Sequence, residues 1–336
     1  MYYSYDENNI AANDYPIGVL GAEQQFNFPT VYLARKRANE SLYNMSLNRW
    51  EQKRLQLAKE VSLAYYHVVY EEERCRLHQM LDTIYTRYAH AAEISHEQGD
   101  LSYLEMLHAR SKAEQFHIQR LAIEEDIDIA YRGLKVLIQS DTLFRVPGGS
   151  MERLKIQHDT AKTDPGFQYY QNTGFMLDAA MKAEKGMLLP DITLGYFNGT
   201  NRYEGSRYYQ GFEVGLGIPL FFGEQRARLK AGRLAKEALE QKIKNYRLSY
   251  ENRISVLKSR LKKIEDAISY YEETGGELAR ELIRSSRKSF ERGEIDYFRF
   301  AQSMDQALEI ELNQLENLLQ YNTLVLEINY MTMDDI

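Results

Sequence analysis

Along most of the chain, apolar residues recur every three or four positions. Ile243, Tyr246, Tyr250, Ile254, Leu257, Leu261, Ile264, Ile268 and Tyr271 keep that spacing without a break, the 3.5-residue period of a coiled-coil seam. Leu308, Leu312, Leu315, Leu319, Asn322 and Leu326 keep it with one polar interruption. In the first half, Leu57, Val61, Ala64 and Val68 hold the period, and Leu77, Leu81, Ile84, Tyr88 and Ala91 resume it out of phase. Such a slip predicts a change of winding or of packing partner. From Thr30 to Gln98 there is neither Gly nor Pro, and no Pro follows Pro219. A continuous helix over the first of these stretches would reach about 100 Å at 1.5 Å per residue. The pattern predicts long helical rods with at most a few breaks.

Two regions alternate instead. Phe212, Val214, Leu216 and Ile218 face one way from Gly211 to Ile218, and Glu213, Gly215 and Gly217 face the other. This is the period-two signature of a strand with one apolar face. Ile192, Leu194 and Tyr196 alternate with Thr193, Gly195 and Phe197, and residues 198–210 form the loop of a hairpin. An earlier hairpin pairs Met1 to Tyr5 with Leu20 to Phe28, where Ala22, Gln24, Phe26 and Phe28 oppose Glu23, Gln25 and Asn27.

The two halves match each other. Gly21 to Pro29 aligns with Gly211 to Pro219 at an offset of 190, sharing Gly, Glu and Pro, and Gly99-Asp-Leu-Ser-Tyr103 aligns with Gly293-Glu-Ile-Asp-Tyr297 at 194. Each half runs hairpin, proline, long helix, turn, returning helix, a duplication of one large unit. The first repeat spans 1–143, with its hairpin at 1–28 and helical hairpin at 30–140. A polar connector at 144–164 contains Pro147-Gly148-Gly149. The second repeat spans 165–336, with a leading helix at 165–189, a hairpin at 191–219 and a helical hairpin at 224–332. Met1 falls opposite Asp191, so the first repeat lacks a counterpart of the leading helix, and the chain reads as truncated or as a piece of a longer polypeptide.

Composition narrows the classes. The 336 residues carry 42 Lys and Arg against 49 Asp and Glu, a formal charge of −7, which offers no global basic field to nucleic acid. The single Cys75 excludes an internal disulfide framework and a multi-cysteine metal site. No stretch approaches twenty apolar residues, which excludes helical membrane spans but not a β-barrel. The seven histidines lie between His67 and His158. Cys75 and His78 share a helical face, and two ligands make no firm metal site. There is no Walker loop, HExxH, complete GxGxxG or nucleophile elbow, so no catalytic residues and no cofactor are expected.

Strands with one apolar and one polar face suit a barrel with lipid outside and water inside. Four strands cannot close one; two chains give eight and a filled interior, and three give twelve and an open lumen, the economical solution for a pore. Tyr2, Tyr3, Tyr5, Tyr203, Tyr208 and Tyr209 lie in or beside the strands, where amphipathic rings suit a membrane interface. Basic clusters follow both hairpins, at Arg35-Lys36-Arg37 and at Arg226, Arg228, Lys230 and Arg233. They suit either anionic groups at the base of a barrel or a solvated helix face.

The stretch GFEVGLGIPLFFG at Gly211 to Gly223 with the following Glu-Gln-Arg-Ala, the segment QFNFPTVYLAR at Gln25 to Arg35, the turns at Gly99 and Gly293 and the duplication itself resemble the TolC-like outer-membrane factors of tripartite efflux systems. Within that family the chain looks most like the heavy-metal-efflux branch that works with RND pumps, including domains fused to the pump. The resemblance implies a mainly α fold with a small β part. Long α-helical hairpins would form an α-barrel across the periplasm, and two β-hairpins would give four strands to a twelve-stranded outer-membrane barrel in a homotrimer. The implied partners are a periplasmic adaptor, an inner-membrane RND pump and outer-membrane lipid. It places Gly99, Asp100, Tyr103, Gly293, Glu294, Asp296 and Tyr297 at periplasmic tips that open on adaptor contact. Glu23, Gln25, Asn27, Glu213, Gly215 and Gly217 would line the lumen, and Phe26, Phe28, Phe212, Val214, Leu216 and Ile218 would face lipid. Against the family's pattern, the sequence reads as lacking a signal peptide and the first helix pair, an expectation that would leave the α-barrel short of two helical segments per protomer.

Acidic residues at the tips suit a charged ring at an aperture or, more simply, the first turn of a returning helix. The rival to a channel is a soluble coiled-coil scaffold capped by the hairpins; a secretion-system channel would share the fold. The paired Glu/Gly faces argue against the scaffold.

Overall fold

The computed structural model describes residues 1–7, 15–147, 149–157, 164–202 and 204–332. Gly148, His158 and Tyr203, singled out above, lie outside the described residues. The chain divides into two compact units, one of Met1–Glu51 with Pro165–Leu248 and one of Gln52–Asp164 with Ser249–Ile336.

The first unit holds a four-stranded antiparallel sheet in the order β1 (Tyr2–Asp6), β2 (Ile17–Phe26), β3 (Asp191–Thr200), β4 (Tyr209–Gly217). The strands differ at their ends from the alternation pattern, for local reasons. β2 starts at Ile17 because Asp6 pairs with it, and β3 runs on to Thr200, opposite Gly18. β2 stops at Phe26 because the next residues serve the helix start: the Asn27 N–H donates to Tyr32 Oη at 3.1 Å, and the Phe28 carbonyl accepts from Val31 N at 2.8 Å. Asn27 and Phe28 therefore lie beyond the strand. β4 ends one residue before Ile218, next to Pro219, which has no N–H for a ladder.

Helices α1 (Pro29–Glu97), α3 (Pro165–Gly186) and α4 (Gly223–Tyr270) enter this unit. Val31 and Ala34 of α1 bury against Ala183 of α3. Contact is so close at Gly186 that a Cβ there would sit 2.7 Å from Val31 Cγ2. Asn48 extends the α1–α3 contact by donating to Gln168 Oε1 and accepting from Asn172, each at 2.9 Å. On the other flank of α3, Asp178 accepts from Lys236 of α4 at 2.7 Å.

The second unit contains the rest of α1 and α4, α2 (Tyr103–Ile138), α5 (Gly276–Glu291) and α6 (Tyr297–Thr332). α1 is unbroken through the phase slip; what changes is its partner. Val68 packs with Ala130, Leu134 and Val146, whereas Leu81, Tyr85, Ala89 and Ala92 pack with Ala109, Ala113 and Phe116 of α2 and with Phe300 and Met304 of α6. The second rod is interrupted, by a π-turn at Tyr271–Gly275 between α4 and α5. Gly275 and Gly276 let the Tyr270 and Tyr271 rings lie against the backbone there, 3.1–3.3 Å from where a Cβ would stand. The Tyr271 hydroxyl donates to Glu311 of α6 at 2.6 Å.

The described residues of the connector form no regular secondary structure, and side chains of α6 satisfy part of their backbone. Asn322, fully buried on α6, accepts from Leu154 N at 2.8 Å and donates to the Glu152 carbonyl at 2.9 Å. One heptad on, Asn329 accepts from Gln157 N at 2.9 Å and donates to the Lys155 carbonyl at 3.2 Å. The polar interruption of the leucine seam is thus the clasp for this strap. Among the described residues no helix is long and apolar enough to cross a membrane.

Candidate functional site

The sheet register sorts the candidate residues by face. Glu23, Gly195 and Glu213 form one row across β2, β3 and β4, and Gln25, Thr193 and Gly215 the next. Asp191 pairs with Gly217, and Gln25 Nε2 donates to Asp191 Oδ2 at 3.2 Å, which ties these rows into one polar face. The alternate residues make a largely apolar face: Ala22, Tyr196 and Phe212 in one row and Phe26, Ile192 and Leu216 in another, with Gln24, Leu194 and Val214 between. On this face Phe212 is 84%, Val214 73% and Leu216 69% exposed.

Two glycines on the polar side have a specific job. Tyr2 lies opposite Gly21 and Phe197 opposite Gly211. A Cβ on Gly21 would come within 2.4 Å of the Tyr2 ring, and one on Gly211 within 2.3 Å of the Phe197 ring. In each hairpin an aromatic ring from one strand lies flat over a glycine of the next, the aromatic cover of a strand glycine. These are the same two glycines that align at the 190-residue offset.

The turns that close the helical hairpins are equally specific. Gly99 at φ +82° and Gly293 at φ +72° occupy the left-handed region. Around them, Asp100 N donates to the Ser95 carbonyl and Gly99 N to His96, while Glu294 N donates to Ser289 and Gly293 N to Phe290. Each set is a Schellman closure, in which the glycine supplies the one residue able to reverse the backbone cheaply. The returning helices are then capped. Ser102 and Glu105 form a capping box on α2, and Asp296 Oδ1 accepts from Arg299 N at 2.8 Å at the start of α6. The hydrogen bonds from the Ser102 hydroxyl and N–H hold the Glu105 carboxyl below its ordinary pKa. The Asp296 carboxylate therefore serves its own helix, while Asp100 and Glu294 stand in the turns. The two tyrosines diverge: Tyr103 is 60% exposed, and Tyr297 is 7% exposed with a hydroxyl that finds no partner among the described residues.

Behind these turns the helices converge on one carboxylate that the spacing analysis missed. Asp305 of α6 accepts from Lys112 Nζ of α2 at 2.7 Å and from the Tyr85 hydroxyl of α1 at 3.2 Å. The same hydroxyl lies 3.3 Å from the Ala301 carbonyl. Burial first, then the Asp305 charge, raises the Tyr85 phenol far above its usual pKa, so it stays a donor. Around it Phe116 stacks at 4.7 Å, Phe290 stacks on Phe300 at 4.9 Å, and Tyr88 meets Phe300 edge-on at 4.5 Å. A cleft of about 530 Å³ between α2 and α6, lined by Glu105, His108, Lys112, Phe298 and Asp305, opens beside it. The signal for Asp305 was its place three residues before Leu308, a polar residue on the seam extended backwards.

Cys75 and His78 are both buried. Burial, then Arg74, lowers the His78 pKa, and its Nδ1 has no hydrogen-bond partner among the described residues. No group of three His, Cys, Asp or Glu among the described residues is arranged to hold a metal ion.

The sequence profile of the outer membrane efflux protein family matches residues 18–138. No curated protein matches the chain by sequence. Solved structures share its fold. A membrane protein from Pseudomonas aeruginosa superposes with a TM-score of 0.82 at 14% identity, covering 99% of this chain and 82% of that one. CusC, described as forming a transmembrane channel, gives 0.77 at 15% identity over 97% and 80%. The open Neisseria gonorrhoeae MtrE outer membrane channel gives 0.78 at 14% over 98% and 78%. Residues 18–138 match the outer membrane efflux protein family, and the chain as a whole shares the fold of these channel structures.

Proposed function

We propose that the chain is the outer-membrane channel of a tripartite efflux system, a passive exit duct whose energy comes from an inner-membrane RND pump. Three copies close their sheets edge to edge, β4 of one on β1 of the next, into a twelve-stranded barrel. The face of Glu23, Gln25, Glu213, Gly215 and Gly217 lines the lumen, and the face of Phe26, Phe212, Val214 and Leu216 meets lipid. The helical hairpins extend into the periplasm. Their turns at Gly99 and Gly293 are the tips, and adaptor contact opens them by moving α5 and α6 away from α1 and α2. Two structural repeats, 1–143 and 165–336, build the subunit around the 144–164 connector. The cargo is heavy-metal cations or drugs, and the Glu23–Gly195–Glu213 row favours cations.

One observation carries the reading: a sheet whose outer strands, β1 and β4, have no further strand beside them among the described residues, with an apolar face left more than two-thirds exposed at Phe212, Val214 and Leu216. Such a sheet is stable neither alone in water nor as a scaffold cap. The full chain extracted from outer membranes in mild detergent is expected at about three times its 39.3 kDa mass and to conduct ions in planar bilayers. A water-soluble, non-conducting monomer overturns the reading.

A further inference from the structure

The two rods begin differently. Pro29 opens α1 directly, whereas Leu220, Phe221 and Phe222 separate Pro219 from the start of α4 at Gly223. The hairpins match at an offset of 190 and the turns at 194, and Pro29–Glu97 and Gly223–Glu291 span equal lengths of chain. The extra residues of the second half therefore lie at this junction, where Leu220 is 78% and Phe221 89% exposed.

A row of cations follows at once. Arg226, Lys230 and Arg233 lie at i, i+4 and i+7, on one face of α4. All three are exposed, and none forms an ion pair among the described residues. Their neighbours are engaged: Arg228 with Glu184 and Glu224, Lys236 with Asp178. At the start of α1, Arg35 and Arg37 are likewise exposed and unpaired among the described residues. Residues 29–41 and 223–237 together carry eight Lys or Arg against three Glu, in a chain whose net charge is −7.

We propose that Leu220, Phe221 and the Arg226–Lys230–Arg233 stripe form a lipid-binding collar, the apolar residues in the acyl layer and the cations on phosphate headgroups of anionic phospholipid. The collar rests on the reading of the sheet as a membrane barrel. From Arg226 to Arg233 the helix rises about 10 Å. With side chains that reach back toward the interface, this matches a headgroup layer of about 5–8 Å on each side of the hydrocarbon. Charge argues against a second copy as the occupant, because the start of α1 that such a copy would bring is itself basic and unpaired. Each Lys or Arg near an anionic surface strengthens binding about fivefold, less in salt.

The test is insertion of the detergent-folded chain into vesicles of phosphatidylcholine alone or with about one-third phosphatidylglycerol, read by protease protection. The wild type is expected to favour the anionic vesicles about tenfold or more, with the preference falling as salt rises. The combined variant Arg226→Gln, Lys230→Gln, Arg233→Gln should lose most of that preference yet enter phosphatidylcholine as the wild type does. Arg35→Gln with Arg37→Gln, on a different helix, should lose part of it. Lys262→Gln with Lys263→Gln, in the other unit, should keep it. A triple variant with its preference intact overturns the collar, as does one altered only in oligomer mass, or a wild type that enters both vesicles equally. A wild type that enters neither overturns the barrel reading instead.

Discussion

If opening moves α5 and α6 away from α1 and α2, the Asp305 carboxylate is a latch, because it is held from both sides. Asp305→Ala removes the Lys112 ammonium's partner at 2.7 Å and one of two acceptors of the buried Tyr85 hydroxyl. The Lys112–Asp305 pair is partly exposed, so screening limits it to about 0.5–1 kcal/mol. The tyrosine bond to a charged acceptor contributes about 1–1.5 kcal/mol. Together they amount to about 2 kcal/mol, which shifts an equilibrium about 30-fold if both contacts break on opening. The assay is single-channel recording of the purified protein in planar bilayers. Asp305→Ala should raise the open-to-closed ratio about 30-fold, and Tyr85→Phe and Lys112→Met singly by about three- to tenfold. Tyr85→Phe with Asp305→Ala should fall short of the sum, since one hydrogen bond is counted in both. A variant whose melting temperature falls while its open-to-closed ratio stays at the wild-type value refutes the latch, because the contact would then persist in both states.

Three further outcomes follow from the geometry. Gly211→Ala puts a methyl 2.3 Å from the Phe197 ring and should cost about 1–3 kcal/mol. Phe197→Ala in the same chain should recover most of it, measured as the urea concentration that abolishes heat-resistant gel mobility; a Gly211→Ala protein as resistant as wild type contradicts the ring-over-glycine account. His78 has a lowered folded pKa, so stability is flat above about pH 6.5 and falls as pH drops from there toward the folded value, by at most about 1.4 kcal/mol per unit. His78→Leu should remove that component from melting temperatures recorded across this range, and an unchanged slope would exonerate the histidine. Asn322→Leu strands the Leu154 N–H and the Glu152 carbonyl and should cost about 2–4 kcal/mol; hydrogen exchange at Leu154 should accelerate well before that of the helices, and unchanged protection there would dismiss the clasp.

The elements with a strict period were the legible ones. Rods appear where apolar residues keep a coiled-coil spacing, because burial of one stripe needs no knowledge of the partner. The two sheet faces separate along the same alternation, Glu23 with Glu213 and Phe26 with Leu216, because pleating alone fixes which way a side chain points. The Gly99 and Gly293 turns were visible because the left-handed closure they make belongs to few residue types. What spacing did not reveal was set by contacts between distant segments. The level at which Glu23 meets Glu213 depends on inter-strand register, and the convergence of Tyr85, Lys112 and Asp305 needs three helices in place. Tyr103 and Tyr297 occupy equivalent positions in the two turns, yet one is exposed and the other buried, because only Tyr297 lies against Phe290 and Phe300. The π-turn at Tyr271–Gly275 was hidden because the seam keeps its spacing unbroken up to Tyr271, where the turn begins.

The strap held by Asn322 and Asn329 also constrains the order of events during folding. The backbone groups of residues 152–157 find their partners 168–174 residues further along the chain. At about 5–20 residues per second, synthesis delivers those asparagines roughly 10–30 s after the strap. Until then the strap has no native partner for these amides, and its closure belongs among the late, non-local steps that slow folding. The first half of the chain, although it contains α1 and α2 complete, cannot finish this part of its fold before the last helix arrives.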